Sequence, residues 1–180
     1  LLVIVLVLSG ATYLLSTHFG AGSESKTMNH SAHQAMISSE RDFIEHMIPH
    51  HEEAIYTANQ VLERGGSLRP LRDLATAIAS SQTSEVEEMR SWYVLWYATP
   101  YENTGVYSPM MRSLNELSGA ELDRVFLEDM IVHHEAAVAV AKAVLELSIS
   151  EETEALATKI ISTQENEIYL MKDLLKLLPQ

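Results

Sequence analysis

The sequence predicts an all-α protein: a four-helix bundle built from two sequence-related helical hairpins and joined by a long crossover loop. Three observations carry this expectation. Residues 44–54 read IEHMIPHHEEA and residues 127–137 read LEDMIVHHEAA, identical at seven of eleven positions. Each copy is followed by the spacing Q-x2-E-x3-M, as Gln82, Glu85, Met89 and as Gln164, Glu167, Met171. No segment alternates apolar and polar residues with the period of two that a strand requires.

The elements follow in order. Helix 1 is expected to start near Ser38–Ser39, where Glu40 and Asp42 suit the positive end of the helix dipole. It should run to about Glu63 and stop at Gly65-Gly66. Pro49 lies inside it, removes one backbone hydrogen bond and is expected to kink the helix just before a pair of histidines. Pro70 suits the first turn of helix 2, which continues to about Ala98 and ends in the aromatic run SWYVLWYA. Residues 99–118 hold two prolines and a glycine. So long a connection is uncommon in a compact domain and makes sense as the crossover between halves. Ser118-x-x-Glu121 reads as a capping box opening helix 3, expected to end near Leu147. Ser150, followed by Glu151 and Glu152, opens helix 4, which should run to Leu178.

Bulk composition narrows the function. The chain has 180 residues with 25 acidic and 12 basic side chains, a formal charge of -13. That excess argues against nucleic acid, whose affinity depends on Lys and Arg. Cysteine is absent, which excludes disulfides, thiolate zinc sites and iron–sulfur clusters. Residues 1–21 are apolar and uncharged and read as an export signal or membrane anchor, the anchor being favoured. Residues 22–38 are small and polar and read as a flexible linker. Residues 39–180 are expected to form the four-helix metal-binding domain.

Counting places the repeated residues together. Met47 and His50 lie roughly 19 and 16 residues before the first turn, and Gln82 and Glu85 about 15 and 18 after it. At about 1.5 Å per residue, both sets stand at one height in the hairpin. The same holds for Met130, His133, Gln164 and Glu167. Met47, His50 and His51 share one helix face, as do Met130, His133 and His134. A pseudo-twofold could merge the two patches or leave two sites, and the sequence does not choose. Packing alone would repeat apolar positions, whereas this chain repeats Met, His, His and Glu. Glu52, Glu88, Glu135 and Glu165 read as a solvated face. Met110-Met111 reads equally as loop packing or as an additional sulfur site.

Ligand softness indicates the metal. Thioether sulfur selects Cu(I), imidazole accepts Cu(I), Cu(II) and zinc, and carboxylates favour harder ions. A Met–His set without cysteine therefore points to copper, Cu(I) preferred and Cu(II) allowed. In the linker, Met28, His30, His33 and Met36 have the same composition and are expected to form a weaker site that captures an ion for the bundle.

The two M-I-x-H-H-E boxes with their Q-x-x-E-x-x-x-M partners resemble the CopM-like family of exported bacterial proteins, catalogued as a domain of unknown function. The resemblance covers about residues 39–178. It implies a ferritin-like four-helix bundle and copper binding and resistance outside the cytoplasm. The positions matching the family's ligands are Met47, His50, His51, Met89, Met130, His133, His134 and Met171. The second box departs from the first, with Val132 for Pro49 and Asp129 for His46, so the two sites are expected to differ.

The expected function is extracytoplasmic copper sequestration or buffering without catalysis. No Ser–His–Asp order, phosphate loop or dinucleotide fingerprint is present. His50 and His133 are expected as primary ligands with Met47 and Met130. Gln82, Glu85, Gln164 and Glu167 should orient the imidazoles. The alternative is a ferritin-like cuprous or di-iron oxidase, disfavoured because methionine stands where a Glu-x-x-His motif needs glutamate. Expected partners are metal ions, with no nucleic acid; the copper exchange partner is not legible.

Overall fold

The structure, a computed structural model, describes residues 37–179 except 65 and 106. The expected leader and nearly all of the linker, including Met28, His30, His33 and Met36, lie outside the described residues. Four helices form: α1 (Glu40–Arg64), α2 (Arg69–Tyr97), α3 (Gly119–Val144) and α4 (Glu151–Leu177). No strand occurs among the described residues.

Local chemistry sets the ends. Ser39 Oγ accepts from the Asp42 backbone N–H, and Asp42 in turn accepts from Ser38. Pro70 stands in the first turn of α2, where its missing N–H costs nothing. Ser150 caps α4 by accepting from the Thr153 N–H at 3.1 Å. Ser118 departs from the capping-box expectation. It holds the N-cap position, yet its side chain caps nothing. Gly119 turns with φ of +56°, so the chain enters α3 through a glycine turn. Helix α3 also stops at Val144, and residues 145–147 close with tighter i to i+3 bonds, Glu146 N to Ala143 O and Leu147 N to Val144 O. Pro49 is accommodated inside a continuous α1.

The buried side chains form two apolar clusters at opposite ends of the bundle. One gathers the N-terminal half of α1, the C-terminal half of α2, the C-terminal half of α3 and the N-terminal half of α4: Phe43, Ile44, Met47, Met89, Ala141 and Ile160 among them. The other holds the remaining halves, including Ala58, Ile78, Phe126, Leu127, Met130 and Met171. Many residues of one cluster have their repeat partner in the other, among them Phe43 and Phe126, Ile44 and Leu127, Met47 and Met130, Ile78 and Ile160, Met89 and Met171. A pseudo-twofold axis therefore crosses the middle of the bundle and exchanges its ends.

Helix α1 packs on α2 and α3, and α4 packs on α3 and α2. Neighbours run antiparallel, while α2 and α3 run the same way, so residues 98–118 must travel the length of the bundle. Tyr101 lies in one apolar cluster and Leu114 in the other.

Each hairpin turn is clasped by the other hairpin. Ser150 donates to Glu40 Oε1 from its backbone N at 2.9 Å and from Oγ at 2.5 Å. Its repeat partner Ser67 does the same to the buried Asp123, the repeat partner of Glu40, with the backbone bond at 2.8 Å.

Candidate metal centre

Between the two apolar clusters lies a buried polar layer: His50, His51, Gln82 and Glu85 from one hairpin, His133, His134 and Gln164 from the other. The pseudo-twofold brings the halves together. The rings of His50 and His133 touch, with centroids 3.7 Å apart and planes at 41°. The histidines of the two patches thus meet, while Met47 and Met130 lie in the apolar clusters on either side.

Three imidazoles are held by carboxylates through the same ring atom. His51 Nε2 donates to Glu85 Oε2 at 2.8 Å, and His134 Nε2 donates to Glu167 Oε2 at 2.8 Å. His133 Nε2 lies 3.3 Å from Glu53 Oε2 and 3.3 Å from the Tyr107 hydroxyl. In each of the three, Nδ1 is buried with no hydrogen-bond partner. In His50 both ring nitrogens are in that state. A carboxylate on Nε2 fixes the tautomer and leaves the Nδ1 lone pair free to bind an ion, the arrangement that orients metal-ligating histidines. Gln82 and Gln164 reach the layer but bond no imidazole; Gln82 Nε2 and Oε1 and Gln164 Oε1 are also without partners.

Electrostatics keep the central imidazoles uncharged. Burial pushes His50 well below the ordinary histidine value, and the neighbouring imidazoles, His133 foremost, add to this. Burial likewise lowers His133, to about 4, against the opposing hydrogen bond to Glu53. Both rings are neutral at neutral pH, the form that coordinates metal. For Glu85, burial alone would raise the carboxyl, but His51 and Lys159 outweigh it and the net shift is downward. Lys159 Nζ lies 3.3 Å from Glu85 Oε1.

Glu53, Tyr107 and His46 were not among the sequence-derived candidates. Burial would raise the Glu53 carboxyl, yet bonds from His133, Tyr107 and the backbone N–H groups of Met110 and Met111 hold it at about 2. Those N–H groups lie 3.0 and 3.1 Å from the carboxylate. Glu53 thereby ties the crossover segment over the histidine pair. Tyr107 stands edge-on to both His46 and His50, at 5.7 and 5.4 Å between centroids. His46 is itself buried, 6.4 Å from His50. The signal for Glu53 was the mismatch between HHEEA and HHEAA: its repeat partner is Ala136.

Met47, Met89, Met130 and Met171 are fully buried in the apolar clusters flanking the layer. Among the described residues, no three His, Asp or Glu side chains converge into a cage that would hold an ion by themselves. Other donor groups in or beside the layer are the thioethers and the unpartnered amide oxygens of Gln82 and Gln164. Of the glutamates read as a solvated face, Glu52, Glu135 and Glu165 form exposed pairs with Arg90, Lys172 and Lys142.

Fold and site together define a class: helical bundles with ligand-type side chains projecting into the core from facing helices. The chain belongs to the DUF305 family, a domain of unknown function that matches residues 40–175. Solved structures of CopM are similar to it over most of their length. The silver-soaked form shows 31% identity, a TM-score of 0.69 and coverage of 78% of this chain and 97% of CopM. The Cu(I)-bound form gives 32%, 0.68, 78% and 97%, and CopM is also solved with Cu(II). A DUF305 fragment from Deinococcus radiodurans gives 34%, 0.68, 79% and 99%. A DUF305 protein from Streptomyces coelicolor, named as secreted, gives 29%, 0.66, 74% and 90%. No curated protein sequence matches the chain. No helix among the described residues is long and apolar enough to cross a membrane.

Proposed function

We propose that this protein binds copper outside the cytoplasm and sequesters or buffers it, Cu(I) in preference to Cu(II), contributing to copper tolerance. The ligands on this reading are Met47, His50, His51, Met89, Met130, His133, His134 and Met171. One observation carries it: four buried imidazoles at the twofold expose unpartnered nitrogens between methionine-bearing clusters. Leaving such groups unsatisfied costs stability, and a soft cation would repay it. The Cu(I), Cu(II) and Ag forms of CopM support the choice of metal. The secreted Streptomyces relative and the apolar residues 1–21 support export, with the N-terminal segment as signal or anchor. A binding role without catalysis fits a centre whose carboxylates are engaged by imidazoles, whereas di-iron oxidation relies on carboxylate bridges.

Metal-free protein titrated with Cu(I), Ag(I) and Zn(II) tests the reading. Tight Cu(I) and Ag(I) binding with much weaker Zn(II) binding is expected. Equal affinity for all three would overturn it, as would rapid oxygen consumption with Cu(I).

A further inference from the structure

The histidine pair is sealed: His50 and His133 are 1% and 0% exposed. A cation must therefore be handed inward. A surface cleft opens between the second half of α1 and the crossover, lined by Glu53, Tyr56, Thr57, Gln60, Met111 and Arg112 among others. Glu53 belongs to both places, since it lines this cleft and lies 3.3 Å from His133 Nε2. We propose that the cleft is the mouth through which a soft monovalent cation reaches His133, with the thioether of Met111 as its first holder and Glu53 as the gate. This rests on the copper reading and adds the route.

The chemistry fits each part. Met111 is half-buried and packs against the apolar cluster that contains Met130 and Met171. Its backbone N–H is fixed by Glu53 at 3.1 Å, so its side chain is presented in the cleft by a built contact. A thioether takes Cu(I) or Ag(I) and ignores hard ions, and the carboxylate beside it lowers the cost of shedding water. Arg112 is the one lining cation that would oppose this. It is occupied by Asp129 and Glu128, at 2.8 Å each. No electron moves in such a transfer; one ligand replaces another at the ion.

The mouth is one-sided. The repeat partner of Glu53 is Ala136, which is buried. His50, the partner of His133, carries no carboxylate on either nitrogen. A twofold centre is thereby loaded from a single face.

The test compares the full chain with its Met111→Leu variant, presenting Cu(I) as a coloured sulfonated phenanthroline complex and following its bleaching by stopped flow. Leucine keeps the volume and the apolar contact, and a thermal melt checks the fold. Uptake is expected to slow by about tenfold, corresponding to loss of one soft contact in the rate-limiting transfer. The number of ions bound and the final affinity should stay unchanged. An unchanged rate overturns the route while leaving the copper reading intact. Loss of a bound ion at unchanged rate also overturns it, by making Met111 part of a storage site. If direct titration of the metal-free parent shows no Cu(I) binding, the copper reading itself fails and the route falls with it.

Discussion

Glu40 and Ser150 are 110 residues apart, and the carboxylate of the first accepts two hydrogen bonds from the second. The contact joins the start of α1 to the turn before α4, and Asp123 with Ser67 mirrors it at the other end. Each hairpin is thus fastened shut by a carboxylate from the other.

The clasp gives a pH prediction. Burial would raise the Glu40 carboxyl, but the bonds from Ser150 and Thr153 bring it below the ordinary value of 4.5. A depressed folded-state pKa contributes stability above the unfolded value, and that contribution is lost as pH falls through the folded one. Glu40→Gln should cost about 1–2 kcal/mol at pH 7. The gap between parent and variant should narrow when urea unfolding is repeated near pH 3. A gap independent of pH would assign the effect to packing.

Function and stability should trade at His50. Both of its ring nitrogens are buried without partners, a cost that leucine removes. His50→Leu should stabilise the metal-free protein by about 1 kcal/mol. The same variant should lose the rise in melting temperature that Ag(I) gives the parent. Melting curves with and without Ag(I) check both halves of the statement.

Thioether involvement is tested by Met47→Leu with Met130→Leu. The parent at a free Ag(I) concentration near 100 times Kd should gain about 2.7 kcal/mol. The double variant should keep its metal-free stability within about 1.5 kcal/mol and lose most of that gain. A variant that responds to Ag(I) like the parent would remove Met47 and Met130 from the ligand set.

Glu53 should govern the crossover. Glu53→Ala removes the acceptor for the Met110 and Met111 N–H groups and for Tyr107. Amide hydrogen exchange at residues 110 and 111 should accelerate strongly, with helix α4 unaffected. Protection retained at both amides would mean that Arg112 with Asp129 and Arg64 with Leu114 hold the segment alone.

The linker makes a separate prediction from sequence. Deleting residues 22–38 should slow copper uptake while leaving most of the final affinity. Affinity abolished by the deletion would make Met28, His30, His33 and Met36 part of the main site.

The bundle was legible because its information is local and repeated. Turn signals at Gly65-Gly66 and Ser150 fix two hairpins, and counting from them puts Met-x-x-His level with Gln-x-x-Glu. What periodicity could not supply was rotation about the bundle axis, so the meeting of His50 with His133 stayed open. Nor could it say which imidazole each glutamate would take, because His50 and His51 point about 100° apart. Glu85 and Glu167 proved to bond His51 and His134. Tyr107 lies in a segment with no period at all, and Glu53 was hidden by being one of two adjacent glutamates.

The contact between His50 and His133 is the place where a twofold sets a residue against its own counterpart. In the language of assemblies it is isologous: two separate copies of one such hairpin would build the same imidazole pair without any connecting chain. Covalent linkage is what permits the two copies to differ. Pro49 against Val132, His46 against Asp129 and Glu53 against Ala136 are differences that no symmetric dimer could hold. Glu53 and Asp129 both bind the connecting segment itself. A single polypeptide can therefore do what a pair of identical subunits cannot, which is to give one centre a front and a back.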